Sequence, residues 1–145
     1  MIIREARDTD FSPLQELYLH LHETSQLSLN SDTKPIWDSI ITDKNYYILL
    51  GEIDGKLVSS VTLVIIPNLT RGAKPYAIIE NVVTHANYRN KGYAKRLIKE
   101  AVRIADQSAC YKVMLMTGSK EESTLSFYEK CGFNSKDKTA YIRWL

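Results

Sequence analysis

The sequence predicts a mixed α+β fold, and three observations support this prediction. Several segments are rich in β-branched and aromatic residues, which is typical of strands. The segment from Gly92 to Gln107 instead has apolar residues at spacings of three and four and basic residues on the opposite side, which predicts an amphipathic helix. Strand segments follow one another in mid-chain and a strand–helix–strand order comes later, so we expect a mostly antiparallel sheet with a parallel crossover.

Composition indicates one ordinary globular domain. The chain has 145 residues, of which 44% are apolar and 25% charged, and its formal net charge is +2. These values argue against disorder and against a general nucleic-acid binder. The longest apolar run, Val61 to Ile66, is too short to span a membrane. We therefore expect a single domain over residues 1–145, with neither a nucleic acid nor a membrane as partner.

The cysteines, histidines and N-terminus are consistent with a cytoplasmic protein. Cys110 and Cys131 are too few for a disulfide framework or a metal cluster. His20 and His22 are two residues apart and point to different sides of a helix, so we expect no metal site. The first residues lack the charged-then-apolar order of a signal peptide.

The first half of the chain is predicted as a strand, two helices and a hairpin. A strand is expected over Ile2 to Arg4. Asp8-Thr9-Asp10 offers capping groups for a helix, whose apolar positions are Leu14, Leu17, Tyr18 and Leu21. A second helix is expected from Pro35 to Ile41. Asp54-Gly55 predicts a tight turn, which joins strands over Tyr46 to Glu52 and Lys56 to Ile66.

The second half is predicted to alternate strands and helices. The expected elements are a strand from Tyr76 to Thr84, the helix that begins at Gly92, a strand from Lys112 to Thr117, a helix from Ser123 to Lys130 that ends at Gly132, and a last strand from Thr139 to Trp144.

The loop from Arg89 to Ala94 is the first candidate site. It lies between a strand and the start of the amphipathic helix, where unpaired backbone N–H groups and the helix dipole suit a phosphate. Gly92 lets the main chain approach a ligand closely. Residues 89–103 also carry six basic side chains and one acidic side chain. However, many helices follow a loop with one glycine and bind nothing, so this pattern alone leaves both interpretations open.

A second motif is Phe127-Tyr128-Glu129-Lys130, followed by Gly132-Phe133. By itself it is equally compatible with a short helix that packs Phe127 in the core and ends at the glycine. Together with Arg89-x-x-Gly92-x-Ala94, however, it resembles the GNAT superfamily of acetyl-CoA-dependent N-acetyltransferases. Glu80-Asn81-Val82-Val83 and Cys110-Tyr111-Lys112 are most similar to the glucosamine-6-phosphate N-acetyltransferase branch.

The resemblance implies a GNAT-like acyl-CoA N-acyltransferase fold, with a splayed, mostly antiparallel sheet and about four helices. It also implies acetyl-CoA as cosubstrate. The pantetheine arm would pair with the backbone of Val82, Val83 and Thr84. Main-chain N–H groups would wrap the diphosphate in a loop formed by Arg89, Asn90, Lys91, Gly92, Tyr93 and Ala94. Ser123 or Thr124 would replace an asparagine with which many members contact pantetheine.

The resemblance also implies two catalytic residues. Tyr128 aligns with the family's general acid, which protonates the departing thiolate. Glu80 aligns with a common acidic position and would accept the proton of the amine through water. The alternatives are that Glu80 orients backbone or pairs with a cation, and that ordered water is the base. A strand N–H close to Val83 would stabilise the oxyanion.

The acceptor is the least constrained part of the prediction. Residues 1–54 hold ten acidic and four basic side chains, which favours a cationic acceptor such as a polyamine, an aminoglycoside or lysine but is also ordinary for a surface. A sugar phosphate would need cations, for which Arg71 and Lys74 are candidates. We expect a small primary amine; the alternatives are a protein N-terminus or lysine, and a non-catalytic acyl-CoA-binding module. The apolar end, 141–145, would permit a homodimer.

Overall fold

The computed structural model describes residues 1–21 and 24–145, so His22 and the prediction about it lie outside the described residues. Over these ranges the chain forms one five-stranded sheet and four α-helices. The strands are β1 (Ile2–Glu5), β2 (Tyr46–Ile53), β3 (Lys56–Ile66), β4 (Tyr76–Thr84) and β5 (Val113–Leu115). The helices are α1 (Phe11–Tyr18), α2 (Lys34–Thr42), α3 (Tyr93–Gln107) and α4 (Glu122–Lys130).

The sheet has the predicted mixed topology. Its strands lie in chain order, and every neighbouring pair from β1 to β4 is antiparallel. The β2–β3 hairpin turns at Asp54 and Gly55, whose φ values of 50° and 76° are those that a tight primed turn requires. β5 returns parallel to β4 after the α3 crossover. The mixed α+β prediction is therefore confirmed.

The sheet opens between β4 and β5, as the family resemblance implied. The two strands pair only from Ala77 opposite Val113 to Ile79 opposite Leu115. β4 continues to Thr84, so the segment 80–84 has no strand beside it on that edge. This segment of β4 borders a gap in the sheet.

Helices cover the two faces of the sheet and create two cores. α3 packs on one face, and this core consists of Leu49, Val61, Leu63, Ile65, Ala77, Ile79, Leu97, Ile98, Ala101 and Ala105. α1 and α2 cover the other face, where the core consists of Phe11, Leu14, Trp37, Ile48 and Leu50. Of the apolar stripe predicted on α3, Leu97, Ile98, Ala101 and Ala105 are fully buried. The period of the sequence thus identified the buried side of this helix.

The first helix is shorter than predicted, because α1 ends at Tyr18 and Leu21 lies beyond it. The hydrogen bonds explain the difference. His20 N donates to Leu17 O at 3.0 Å, and Leu21 N donates to Tyr18 O at 2.9 Å. These bonds span three residues rather than four, so the chain tightens and leaves the helix. None of the described helices has the length and apolar character needed to cross a bilayer.

The predicted last strand, Thr139 to Trp144, is wrong: these residues form no strand in the structure. A strand is held by hydrogen bonds to a neighbour, and β5, at the edge of the sheet, is only three residues long. The predicted β5, Lys112 to Thr117, was therefore also too long. The apolar side chains of the tail are left in solvent, with Tyr141 92% and Trp144 88% exposed.

An ion pair fixes the start of the chain against the turn that precedes α1. Arg4 donates from Nη1 and Nη2 to the two carboxylate oxygens of Asp10, at 2.6 and 2.8 Å. Arg7 N donates to the same carboxylate at 2.7 Å, and Arg4 Nε reaches Glu52 at 2.9 Å. Hydrogen bonds from Arg4 lower the pKa of Asp10 below its ordinary value, against the opposing effect of burial.

We expect the Asp10→Asn variant to lose about 2 kcal/mol of stability at neutral pH, because the charge-assisted pair with Arg4 is broken and Arg4 keeps only Glu52 as a partner. Since folding lowers the pKa of Asp10, its contribution is complete above about pH 4 and is lost as pH falls through the folded-state value. Urea titrations across this range measure both effects. The control is Asp106→Asn, an exposed position on α3. Equal stability of the two variants would contradict the prediction.

Candidate active site

A β-bulge lies in β4 beside the gap in the sheet. Ser60 pairs with Val83 and Thr62 with Glu80, so a single residue of β3 faces two residues of β4, Asn81 and Val82. Asn81 takes up the extra length with a φ of 50°, a conformation that asparagine tolerates better than most residues. A bulge leaves its extra residue out of the ladder and redirects the strand. Backbone groups of β4 therefore become available to a ligand where β5 has diverged.

Glu80 lies on the face of the sheet that α1 and α2 cover. Its partner across β3 is Thr62, which in turn pairs with Ile48 of the core under those helices. Cross-strand partners point to the same face, so the three side chains form a row. Glu80 is the exposed member of this row, in the middle of a long strand. Its carboxylate is thus presented to the open part of the site.

Two tyrosine hydroxyls lie within electrostatic reach of Glu80. Burial is the main cause of the raised pKa of Tyr46, on β2, and the Glu80 carboxylate raises it further. The pKa of Tyr128, on α4, is likewise raised mainly by burial, with further contributions from Cys131 and Glu80. Tyr128 is half-buried, and its ring packs against Phe127 in a T-shaped arrangement with centroids 5.1 Å apart. It is therefore a protonated hydrogen-bond donor at neutral pH.

Sequence reasoning missed three hydroxyl groups on the same face. Ser60 and Thr62 of β3 are 0% and 1% exposed, and within the described ranges their hydroxyl oxygens have no hydrogen-bond partner. Tyr18 of α1 packs against the core on this face, and burial is the main cause of its raised pKa. The spacing of two residues between Ser60 and Thr62, which puts both hydroxyls on one face of β3, was the available signal. Together they make this face polar beside Glu80.

The loop before α3 has the geometry of an anion cradle. A single 3-10 turn, Ala86–Tyr88, leads into it, and Asn90 and Gly92 both have left-handed backbone, with φ of 60° and 76°. Gly92 is the N-cap residue just before α3, and no side-chain hydrogen bond caps the helix there. A Cβ placed on Gly92 would meet no atom within 4 Å. The first-turn N–H groups, which include those of Tyr93 and Ala94, have no intrahelical partners and lie at the positive end of the helix dipole.

The side chains of this loop are directed elsewhere. Arg89 donates from Nε to Thr84 O at 3.2 Å and from Nη2 to His20 O at 3.0 Å. The ammonium of Lys91 lies over the ring of Tyr88, 5.1 Å from its centroid. The loop therefore offers main-chain donors to a ligand, while its arginine joins parts of the protein. Sequence reasoning found the loop but gave no signal for the direction of the guanidinium.

Other candidate residues lie around the gap or away from it. Val83 is buried, whereas Val82 and Thr84 are partly exposed along the edge of β4. Ser123 and Thr124 are in the first turn of α4, so their contact with pantetheine stays a prediction. Arg71 and Lys74 precede the first residue of β4, at the opposite end of the strand from the bulge. The structure therefore does not bring these two cations to Glu80.

The sequence matches the profile of the acetyltransferase (GNAT) family over residues 9–133, a range that contains both motifs and the bulged strand. The chain belongs to the GNAT family. The resemblance drawn from the two motifs is confirmed, and with it the expectation of an N-acetyltransferase-type enzyme. Members of this family take the acetyl group from acetyl-CoA.

Individual relatives agree with this family assignment. The glucosamine 6-phosphate N-acetyltransferase of Trypanosoma brucei brucei is 33% identical over 141 residues, which cover 94% of this chain and 90% of the relative. The structure of a putative acetyltransferase from Agrobacterium tumefaciens str. C58 has a TM-score of 0.91 and 35% identity, and covers 99% of this chain and 100% of that one. Glucosamine-6-phosphate N-acetyltransferase from Arabidopsis thaliana shares the fold, with a TM-score of 0.85 at 22% identity over 99% of this chain and 97% of that one.

Replacing Gly92 with Val is expected to weaken coenzyme A binding about tenfold or more. A β-branched residue in left-handed backbone costs about 1–2 kcal/mol, and the new side chain would fill the space in front of the N–H groups. Isothermal titration calorimetry measures the affinity. Gly55→Val is the matched control, because Gly55 has the same φ of 76° and open surroundings but lies in the β2–β3 turn. Equal coenzyme A affinity in the two variants would refute the role of the loop.

Proposed function

We propose that the chain transfers the acetyl group of acetyl-CoA to a primary amine of a small molecule at the bulge of β4. One observation carries the proposal: the bulge at Asn81 and Val82 lies beside the gap between β4 and β5, and Glu80, just before the bulge, is exposed. Burial is the main cause of the raised pKa of Tyr128, and the Glu80 carboxylate contributes to it. A thioester bound in the gap would lie beside a carboxylate and a phenol. Aminolysis needs two such groups, one to accept the proton of the amine and one to protonate the departing thiolate.

Binding of the donor would rely on main-chain groups. The backbone of Val82, Val83 and Thr84 would pair with the pantetheine arm, as a missing neighbouring strand would. The loop 89–94 would take the diphosphate through N–H groups at the start of α3. Ser123 and Thr124, in the first turn of α4, would contact the arm from the other side of the gap. Support comes from the unpaired edge of β4 and from the left-handed backbone at Asn90 and Gly92.

The amine would lose its proton toward Glu80. An alkylammonium has a pKa near ~10, so a base must remove a proton before the nitrogen can attack. The Glu80 carboxylate is exposed in mid-strand and can accept that proton directly or through a water molecule. A carboxylate at this position also attracts the ammonium form of the acceptor, which brings the nitrogen to the thioester.

The negative charge that develops on the thioester oxygen would be met by a backbone N–H near Val83. A buried hydroxyl supports this part of β4: Ser59 Oγ donates to Val83 O at 2.7 Å and lies 2.8 Å from Thr84 Oγ1. Because Val83 O is held in this way, the adjoining peptide group has a fixed orientation. A donor that is already oriented loses little free energy when the charge appears.

Tyr128 would protonate the departing thiolate. The thiolate has a pKa of about 8.5 by the cysteine reference, and the pKa of Tyr128 is raised above its ordinary value, so the phenol carries its proton at neutral pH. The position on α4, with the ring packed in the core cluster on the α3 side, holds the hydroxyl in place. The partly buried surroundings also strengthen its hydrogen bond to sulfur.

A small acceptor fits the covered face better than a polypeptide does. α1 and α2 cover most of this face and bury Ser60 and Thr62, so the exposed position of Glu80 is bounded by helices on this side. The Trypanosoma relative is named for glucosamine 6-phosphate, and an amino sugar presents both an amine for Glu80 and hydroxyls for a polar face. Glucosamine 6-phosphate is therefore the first acceptor to test, with a protein N-terminus or lysine as the alternative.

The test is release of free thiol from acetyl-CoA, measured with DTNB across a panel of amines. The panel contains glucosamine 6-phosphate, glucosamine, a polyamine, an aminoglycoside and peptides with a free N-terminus or lysine. Turnover with a small amine supports the proposal. Turnover with peptides alone favours the protein acetyltransferase, and coenzyme A binding without any turnover indicates a binding module.

The Tyr128→Phe variant is expected to lower kcat about 100-fold while the affinity for acetyl-CoA changes little, since general acid catalysis acts in the transition state. The phenyl ring keeps the core contacts, so the fold should be retained. Tyr111→Phe is the control, a hydroxyl removed from a residue near the start of β5. A Tyr128→Phe variant with the wild-type kcat, measured where chemistry is rate-limiting, would remove this residue from the mechanism.

We also propose that residues 1–145 act as one domain and that the enzyme is cytoplasmic. Two free cysteines support a reducing compartment. Cell fractionation tests the compartment.

We further propose that two copies associate through the tail 139–145. The exposed Tyr141 and Trp144 and the free edge of β5 support this pairing. Analytical ultracentrifugation is expected to show a dimer for the full chain and a monomer after deletion of the tail. A dimer mass in the deletion variant would exclude the tail as the contact.

A further inference from the structure

Arg89 joins three parts of the molecule. It is the first residue of the loop 89–94. Its guanidinium holds Thr84 O, the last carbonyl of β4, and His20 O, the carbonyl two residues beyond α1. A planar guanidinium can serve two acceptors at once because its donors form a rigid fork. The donor loop, the bulged strand and the end of α1 thus share one side chain.

A ring contact runs beside this bridge. The imidazoles of His20 and His85 lie with their centroids 4.1 Å apart and their planes at 48°. His85 is itself anchored, because its backbone N donates to Val58 O at 2.9 Å and its Nδ1 accepts from Asn87 N at 3.2 Å. His20 therefore packs on a fixed surface at the end of β4. The chain that leaves α1 is held at the site by a ring on one side and a guanidinium on the other.

The chain after this point has little support of its own. Residues 24–32 are exposed throughout, including the apolar Leu27 and Leu29. Leu27 N donates to Gln15 Oε1 at 3.3 Å, and a local turn joins Asn30 to Thr33. A segment with so few buried contacts opens at low free-energy cost. Its order should therefore depend on how earlier described residues, among them His20, are held by the rest of the protein.

We propose that Arg89 is a positioning residue that couples the seating of the donor's diphosphate on the loop 89–94 to the order of the described chain after α1, residues 19–21 and 24–33. We call this chain the acceptor side, because it follows α1, the helix that covers the face proposed for the acceptor. An anion held by the loop fixes the backbone of Arg89 and therefore the position from which its side chain extends. The guanidinium then holds Thr84 O and His20 O with less loss of entropy, and the chain after α1 becomes better ordered. Donor binding thus prepares the acceptor side.

This inference rests on the proposed function in one respect, that the loop binds the diphosphate of coenzyme A. The test is hydrogen exchange of the full chain with and without saturating coenzyme A, which needs neither an acceptor nor turnover. In the wild type, we expect coenzyme A to slow exchange about tenfold in peptides that cover residues 19–21 and 24–33, within the usual range of coupling between sites.

Two substitutions of Arg89 remove its bridge to Thr84 O and His20 O, and one matched substitution in the same loop keeps that bridge intact. Arg89→Met loses the charge and both hydrogen bonds, whereas Arg89→Lys keeps the charge but lacks the fork. In both, we expect coenzyme A to slow exchange less than about twofold in those peptides at saturation. Lys91→Met removes the same charge from the same loop but no hydrogen bond to β4 or to the end of α1, so it is expected to keep the wild-type protection at saturation.

Each other outcome has a distinct meaning. Wild-type protection in Arg89→Met, or its equal loss in Lys91→Met, would overturn the role of Arg89. Coenzyme A binding without protection in the wild type would overturn the coupling and leave the proposed function standing. A wild-type chain that fails to bind coenzyme A in calorimetry would overturn the proposed function and this inference with it.

Discussion

One extra residue in β4 is the constraint on which the rest of the site depends. Because Val61 faces both Asn81 and Val82, the ladder between β3 and β4 loses its register at the point where β5 has already stopped pairing. Backbone groups freed in this way must find a partner in water or in a ligand. An extended polar ligand in the gap can therefore satisfy the backbone hydrogen-bonding groups of β4 better than solvent does. A fully paired sheet of the same strands would have no such edge.

The two cores explain how a strand with a bulge and an open edge stays in position. Ala77 and Ile79, just before the bulge, are buried under α3, and Val83, just after it, is buried as well. The left-handed backbone of Asn81 is therefore fixed between packed residues. Ser59 adds a buried hydrogen bond to Val83 O. Local strain persists only where its surroundings over-determine it, and here packing on both sides of the bulge does so.

The elements that the sequence predicted well are those determined locally. The apolar period of α3 and the Asp54-Gly55 turn depend only on residues within each element. The bounds of the helix and the hairpin were therefore predicted to within a residue or two. The bulge depends on β3, and the missing strand at 139–144 depends on a partner that the chain does not supply, so neither follows from local pattern. Asn81 was the readable hint, since asparagine is rare within strands and favours positive φ.

The charge of the loop shows why a motif and its mechanism are separate inferences. Six basic side chains within residues 89–103 suggest a site that attracts phosphates by charge, yet Arg89 is occupied by two carbonyls and Lys91 lies over an aromatic ring. Main-chain N–H groups at the start of α3 would then be the donors that meet an anion. Backbone donors tolerate many side chains, so the arginine at the head of the loop is free for a different task. Its two contacts join the loop to the last residue of β4 and to the chain that leaves α1.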